Sequence, residues 1–329
     1  MTVAEAFQKF NSLKIAVVGD VMVDAYIWGE VSRISPEAPV PIINLSKRED
    51  RIGGAANVAL NLVALGIQAE IISVVGKDEA GEKLTNLFQK KNIKNDNVVY
   101  SKERITTIKT RVIGNSQHLL RVDNEQTNNI TIDEENALIE AVRKSISGGV
   151  NAIILEDYNK GVLTERVISE IVKIANENNV ITTVDPKKEN FLSFKNVTMF
   201  KPNLKELKEG MKSDFDFKDF HLFEQAVIDL ESELKNKITF VTLSEQGVYV
   251  KEGIQREHLS AHLRDIADVS GAGDTVIAVA TACLAAGLSS VQMANIANIA
   301  GGLVCESSGV VAIEKDLLLE EVENQLNGH

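Results

Sequence analysis

The run KIAVVGD, residues 14–20, is apolar, rich in β-branched residues and ends in an aspartate; five later runs repeat the pattern. They are AEIISVVG (69–76), NAIILEDY (151–158), VITTVDP (180–186), NVTMFKPN (196–203) and KITFVTLS (237–244). Helix-like segments separate most of them, and this alternation predicts an α/β fold with a doubly wound, mostly parallel sheet. The runs lack strict polar alternation because helices cover both faces of such a sheet. Asp20, Asp157, Asp185, Asn203 and Thr242 fall at or just past the ends of these runs. Ligands of open α/β sheets bind along that edge, although any one of these residues alone reads equally well as a cap or turn.

Two segments break the pattern, at about 25–45 and 104–123, where shorter alternating stretches such as ITTIKTRVI and QHLLRVD flank the turn-like Gly114-Asn115-Ser116. They read as hairpins outside the main sheet, a small β lid inserted into a single domain over 1–329. The polar stretch 212–219 reads as a surface loop.

Composition narrows the function. The 329 residues are 44% hydrophobic, enough for a large core, and the formal net charge of -12 opposes nucleic-acid binding. Cys283 and Cys305 lie in apolar stretches without metal-site spacing, so reduced buried thiols are expected. The first ten residues have no basic segment leading into an apolar one, and the most apolar stretch, 276–288, is too short to span a bilayer. The expectation is a cytoplasmic protein with no membrane partner.

The stretch DVSGAGDTVIAVATACLAAG, residues 268–287, is a glycine-bearing turn that runs into a long apolar helix. Gly271 and Gly273 let backbone N–H groups approach an anion, and the helix start favours negative charge. Asp274 lies beside that anion hole, placed to accept a proton from an attacking hydroxyl. An ordinary helix start with an aspartate cap is the bland alternative. A second glycine pair, Gly53 and Gly54, precedes Asn57 and a helix that stops at Gly66; small residues there let a polyol lie against the backbone, with Asn57 either bonding a hydroxyl or capping the helix. Asp20 and Asp24, in GDVMVD, suit vicinal hydroxyls as paired acceptors.

GGAAN near the start and DVSGAGD near the end resemble the two signature motifs of the PfkB, or ribokinase-like, carbohydrate kinases, and the resemblance covers essentially the whole chain. It implies an ATP- and Mg2+-dependent kinase with Asp274 as base and Gly271, Ala272 and Gly273 stabilising the transferred phosphoryl group. Asn203 and Glu206, in KPNLKELKE, match the family's NxxE motif, which organises magnesium and nucleotide phosphates. The same resemblance places Thr242 near the ATP phosphates, Asn298 near the adenine, and Asp268 and Ser270 at a monovalent-cation (K+) site.

SRISPEAPVP (32–41), the set Lys109, Arg111, Gln117, Arg121 and Asp123, and DYNKG (157–161) are similar to the subgroup acting on D-glycero-β-D-manno-heptose 7-phosphate. That similarity implies phosphorylation of the anomeric hydroxyl to heptose 1,7-bisphosphate, on the way to ADP-heptose and lipopolysaccharide. Asp20, Asp24, Gly53, Gly54, Asn57 and Asp157 would meet the sugar; Arg33, Lys109, Arg111 and Arg121 would clamp its phosphate. It also implies a homodimer formed through the lid. With no nucleotidyltransferase segment in these 329 residues, the expectation is a kinase whose product a separate adenylyltransferase consumes. Other sugar, sugar-phosphate or nucleoside kinases of the family, and a sugar-binding pseudokinase, are the rivals. A Rossmann dinucleotide fingerprint and a P-loop are both missing.

Overall fold

The computed structural model describes residues 1–327 apart from 116, 218, 263 and 308. The strands are β1 (Lys14–Gly19), β2 (Val21–Ile34), β3 (Pro41–Gly54), β4 (Gln68–Gly76), β5 (Lys94–Ser101), β6 (Thr107–Gly114), β7 (Gln117–Asn124), β8 (Ala152–Glu156), β9 (Ile181–Asp185), β10 (Met199–Phe200), β11 (Ile238–Thr242), β12 (Val248–Glu252) and β13 (Gln255–Leu259). The helices are α1 (Val3–Phe10), α2 (Ala55–Ala64), α3 (Glu79–Lys90), α4 (Ile132–Ser147), α5 (Glu165–Glu177), α6 (Leu204–Gly210), α7 (Phe220–Leu234), α8 (Ala272–Ala286), α9 (Ser290–Cys305) and α10 (Lys315–Asn327).

The main sheet runs β13-β12-β11-β10-β9-β8-β1-β4-β5. The strands from β11 to β5 are parallel, and β12 and β13 add an antiparallel edge. The six apolar runs are β1, β4, β8, β9, β10 and β11, as their composition predicts. Strand β1 shows why they do not alternate with polar residues: Ile15 and Val17 enter one core, and Ala16 and Val18 enter the other. The first core packs under α1, α2, α8 and α9, with Phe7, Leu62, Ile277 and Ile296 among its members. The second packs under α4, α5 and α7, with Leu138, Ile171 and Phe223. Each fully buried side chain of this size contributes about 1.5–3 kcal/mol, so a two-faced sheet is the fold's main source of stability. Helix α8 is apolar on nearly every side because it is wedged between α9, α2 and the sheet. Both cysteines are buried and unpaired, and no described helix is long and apolar enough to cross a membrane.

The second sheet has the order β3-β2-β6-β7. The first pair extends beyond the expected 25–45, with β2 and β3 together spanning 21–54, while β6 and β7 span 107–124 against the expected 104–123. Val21, Met22 and Val23 are all buried at the junction with the main sheet, so the root of β2 shows no alternation and reads as a continuation of β1. The β6–β7 turn lies at Gly114 and Asn115, while Ser116 lies outside the described residues. The stretch 212–219 does connect α6 to α7, apart from Lys218, which lies outside the described residues. Strands β5 and β13 are not evident in the sequence, because KNDNVVYS and QREHL are too polar to separate from loops.

Gly54 joins the lid to α2 with φ +62°, and a Cβ there would lie 2.4 Å from the Asp20 carbonyl oxygen. Gly253 has a similar φ of +59° with nothing within 4 Å of its Cβ position. Gly253→Ala should therefore cost only the backbone term, about 1 kcal/mol, and Gly54→Ala should cost more, up to about 3 kcal/mol, in chemical denaturation. Equal costs would show that the lid root yields to accommodate the methyl group.

Candidate active site

The strand order reverses at β1: the chain passes to β4 and β5 on one side, then returns to β8 on the other. Such a switch point opens a crevice at the carboxyl ends of the strands. Asp20 follows β1, Glu156 ends β8 and Asp157 follows it, and Asp185 ends β9. The start of α8 comes down onto this edge. Gly271 precedes the helix in the left-handed region, φ +81°, and a Cβ there would press on Asn57 Nδ2 and Val310 at 3.0 Å. Gly273 is more open, with Asp185 Oδ2 3.7 Å from its Cβ position.

Asp274 occupies the first turn of α8 and is 7% exposed. Asn57 Nδ2 donates to its Oδ2 at 2.7 Å, and the Tyr158 hydroxyl donates to its Oδ1 at 2.8 Å. Burial pushes the Asp274 carboxyl up to about 6, against the opposing pull of these two hydrogen bonds. The result is a fixed carboxylate that is ionised at neutral pH and still basic enough to take a proton. Burial likewise drives the Tyr158 phenol well above its usual range, so it stays a donor. The run DYNKG points to this loop without singling out Tyr158.

Beside Asp274 lies a cluster that the sequence leaves scattered. Glu156, Asp185 and Asp274 each offer a carboxylate oxygen within 4.8 Å of the others. Lys201 pairs with Asp185 at 2.9 Å, and Lys187 bridges Asp185 at 3.4 Å and Glu206 at 3.0 Å. Burial opposes the charge on Lys187, but Asp185 and Glu206 hold its ammonium well above the usual range. Glu206 and Asn203 form a reciprocal capping box on α6: Glu206 N–H donates to Asn203 Oδ1, and Asn203 N–H to Glu206 Oε2. The free side of the Glu206 carboxylate faces Lys187. Thr242 is bridged to Asn203 across adjacent strand ends, so those two residues do meet. Asn298 is spent locally, donating to the Ser260 carbonyl at 2.9 Å. Asp268 accepts from the Ser270 and Gly309 amides at 2.9 and 3.1 Å, closing the turn before α8.

The aspartates nearer the lid divide their roles. Asp20, expected to face hydroxyls, instead accepts from the Tyr158 and Lys160 amides through Oδ2 and from the Val162 amide through Oδ1. It pins the loop that presents Tyr158. Asp157 also serves this loop, accepting from the Asn159 amide and the Asn190 side chain. Asp24 lies against Gly53, whose Cβ position is 2.5 Å from Oδ2, and pairs with Arg111 at 2.5 Å.

Three of the lid cations, Lys109, Arg111 and Arg121, are paired with acids. Arg111 and Arg121 are direct cross-strand partners. Lys109 pairs with Asp123 and Glu125 at 3.2 and 3.0 Å, and Arg121 with Asp123 at 2.9 Å. Arg33 stands apart near the outer tip, beside Ile42 on β3. Arg51 was not foreseen: it and Arg111 flank the Tyr26 ring at 4.9 and 5.5 Å, with Arg51 reaching the Gly309 loop.

A family model described as pfkB family carbohydrate kinase matches residues 12–316. "Bifunctional protein HldE" of Methylobacillus flagellatus is 39% identical over 311 residues, covering 94% of this chain and 63% of that protein. The "D-beta-D-heptose 7-phosphate kinase" of Bordetella bronchiseptica is 38% identical over 312 residues, covering 93% of this chain and 95% of that one. Among solved structures, Escherichia coli phosphofructokinase-2 in complex with potassium aligns with a TM-score of 0.79 at 19% identity, over 96% and 99% of the two chains. Arabidopsis thaliana ribokinase complexed with ribose and ATP aligns at 0.72 and 18% identity, over 94% and 98%. These neighbours bear out the ribokinase-like fold.

The elevated Asp274 carboxyl makes a stability prediction. Its group binds a proton in the folded chain up to about pH 6 but in the unfolded chain only up to about pH 4. The folded state therefore holds more protons in that window, and wild-type stability falls as pH rises through it. Relative to Asp274→Asn, wild type should lose roughly 2–3 kcal/mol between pH 4 and pH 6.5 in EDTA-containing buffer, read by urea denaturation. Parallel pH profiles for the two proteins would contradict the strained carboxylate.

Proposed function

The chain belongs to the pfkB family of carbohydrate kinases, and we propose that it transfers the γ-phosphoryl group of ATP to the anomeric hydroxyl of D-glycero-β-D-manno-heptose 7-phosphate. The observation that carries this reading is the buried Asp274 carboxylate, fixed from two sides at the start of α8 beside a glycine turn. The Bordetella relative, covered almost end to end, supports the sugar phosphate as substrate. The chain spans 63% of the length of the bifunctional relative from Methylobacillus, so the proposal concerns the kinase reaction alone.

Magnesium and ATP fit the residues present, because the turn at Gly271 and Gly273 leaves no side chain between an anion and the first-turn amides of α8. Magnesium supplies charge neutralisation on the nucleotide, as phosphoryl transfer generally requires. Glu206 and Asn203 would hold it through water, and Thr242, beside Asn203, would meet the phosphates. Asn298 on α9 is the proposed neighbour of the adenine. Asp274 takes the proton from the sugar hydroxyl at Oδ1 or Oδ2, with Asn57 and Tyr158 keeping it aligned. The helix start then stabilises charge that develops on the transferred group. Asp268 and Ser270 remain the proposed seat of a monovalent cation such as K+.

For the sugar, Asn57 Oδ1 is buried without a partner among the described residues and would accept from a hydroxyl. Asp24, Gly53 and Gly54 line the same side, and Arg111 and Arg51 sit behind them on the lid. A phosphate would draw Arg111 from Asp24 and recruit Arg121, with Lys109 and Arg33 adding charge. The lid exposes Ile34, Val40, Leu45, Leu120 and Val122, which supports a homodimer joined lid to lid.

Asp274→Asn should lower kcat by about 10²- to 10⁴-fold while leaving ATP affinity intact. A variant that turned over at the wild-type rate would remove Asp274 from the chemistry. Arg111→Ala should lower kcat/KM for the 7-phosphate by about 10- to 150-fold and leave the dephosphorylated heptose equally poor. Assays with heptose 7-phosphate, fructose 6-phosphate, ribose and adenosine test the substrate; faster turnover of one of the last three would overturn the heptose assignment. Glu206→Gln should raise the magnesium concentration needed for half-maximal rate, and an unchanged magnesium titration would exclude it from that role.

A further inference from the structure

Glu125 and Lys160 have no part in the chemistry above, yet they join its two halves. Glu125 directly follows β7 at the base of the lid; it accepts from Lys109 through Oε2 at 3.0 Å and from Lys160 through Oε1 at 2.7 Å. Lys109 lies on β6, two residues from Arg111. Lys160 lies two residues past Tyr158, in the loop whose tyrosine hydroxyl donates to Asp274. The side chains of Lys109, Glu125 and Lys160 are 14%, 22% and 15% exposed, so solvent screens these pairs less than it screens the 59% exposed Arg121 against Asp123.

The backbone binds the same two segments. The Lys160 amide donates to Asp20 Oδ2 at 3.1 Å, and its carbonyl accepts from Arg104 Nη2, just ahead of β6. The Gly161 carbonyl accepts from the Ile130 amide at 3.0 Å, and a Cβ on Gly161 would strike the Asn128 carbonyl. Residues 125–130, which leave the lid, are thereby stitched to the loop at 157–162, and a displacement of one is passed to the other. We propose that Glu125 is a positioning residue that ties the lid to the base: it holds the Lys160 loop and, through that loop, keeps Tyr158 on Asp274. The hold depends on what occupies the lid. In the empty lid two ammonium groups share the Glu125 carboxylate; an anion that draws Lys109 away leaves it to Lys160 alone, so a substrate phosphate is felt at Asp274 as well as at the lid. This role rests on the reading of Asp274 as the base and of the lid as the phosphate clamp.

The test is a double-mutant cycle of Glu125→Gln with Tyr158→Phe, in which kcat and KM are measured with the acceptor that wild type turns over fastest. Glu125→Gln should lower kcat by about 3- to 30-fold. It should not raise KM, because it releases Lys109 rather than removing it. In the Tyr158→Phe background the same substitution should change kcat by less than about 2-fold, since the route through which it acts is gone. Lys160→Gln should repeat this pattern, and it decides should Glu125→Gln fail to fold. Hydrogen exchange of the full chain without ligands gives a readout separate from the sugar assignment: peptides covering 157–162 should exchange faster in Glu125→Gln than in wild type. A raised KM with unchanged kcat, effects of Glu125→Gln and Tyr158→Phe that multiply, or unaltered exchange in the loop would overturn the proposal. Full activity of Asp274→Asn would instead overturn the reading of the base on which it rests.

Discussion

The structure depends on keeping one carboxylate, Asp274, inside the protein and charged. Burial disfavours the anion, so its geometry has to be imposed by donors from elsewhere in the chain. Asn57 comes from α2, and its approach depends on the Gly53-Gly54 corner that lets the lid's last strand run straight into that helix. Tyr158 comes from the loop after β8, and its approach depends on Asp20, which gathers three amides of that loop. The helix start contributes from the third direction. Removing any of these supports leaves Asp274 in place but free to turn, which in the proposed reaction would misdirect the proton acceptor.

The lid poses a different electrostatic problem. Lys109, Arg111 and Arg121 are paired with Asp24, Asp123 and Glu125 rather than held open. An exposed pair such as Arg121 with Asp123 is worth at most about 1 kcal/mol, whereas charge-assisted bonds to a phosphate are worth about 1.5–3 kcal/mol each. An incoming phosphate would therefore win Arg121 easily. Arg111 is harder to take, because its bond to Asp24 is half-buried and the Tyr26 ring packs beneath it. The proposed substrate would be read by how well it replaces Asp24 at Arg111, and the acids keep the empty lid from repelling itself.

Much of this was legible in the sequence, and the exceptions have physical causes. The parallel sheet showed in β1 and the five runs like it, because strands buried on both faces are apolar without interruption. The α8 start showed because two glycines, an acid and a long apolar run coincide at 271–286. The role of Asp20 in gathering three amides was not legible, because a carboxylate at a strand end can bind a ligand or gather backbone amides, and the path of the following loop is not written in residue order. Tyr158 and Arg51 escaped notice because their roles depend on loop closure and cross-strand register, which residue order does not encode. The cluster of Glu156, Asp185, Lys187 and Lys201 is assembled from three separate strand ends, so no local motif announces it. Asn203 and Glu206 were read from the resemblance to the family's NxxE motif, and the same three-residue spacing makes them a capping box, so structural and proposed functional roles share one motif.

The proposed reaction places a second phosphoryl group on the anomeric oxygen of an already phosphorylated sugar. The direct measurement is 31P NMR of wild-type protein incubated with magnesium, ATP and D-glycero-β-D-manno-heptose 7-phosphate. The expected result is a new phosphate resonance coupled to the anomeric proton, growing in step with ADP while the 7-phosphate signal persists. ADP appearing with only inorganic phosphate, or with a phosphate on another carbon, would contradict it.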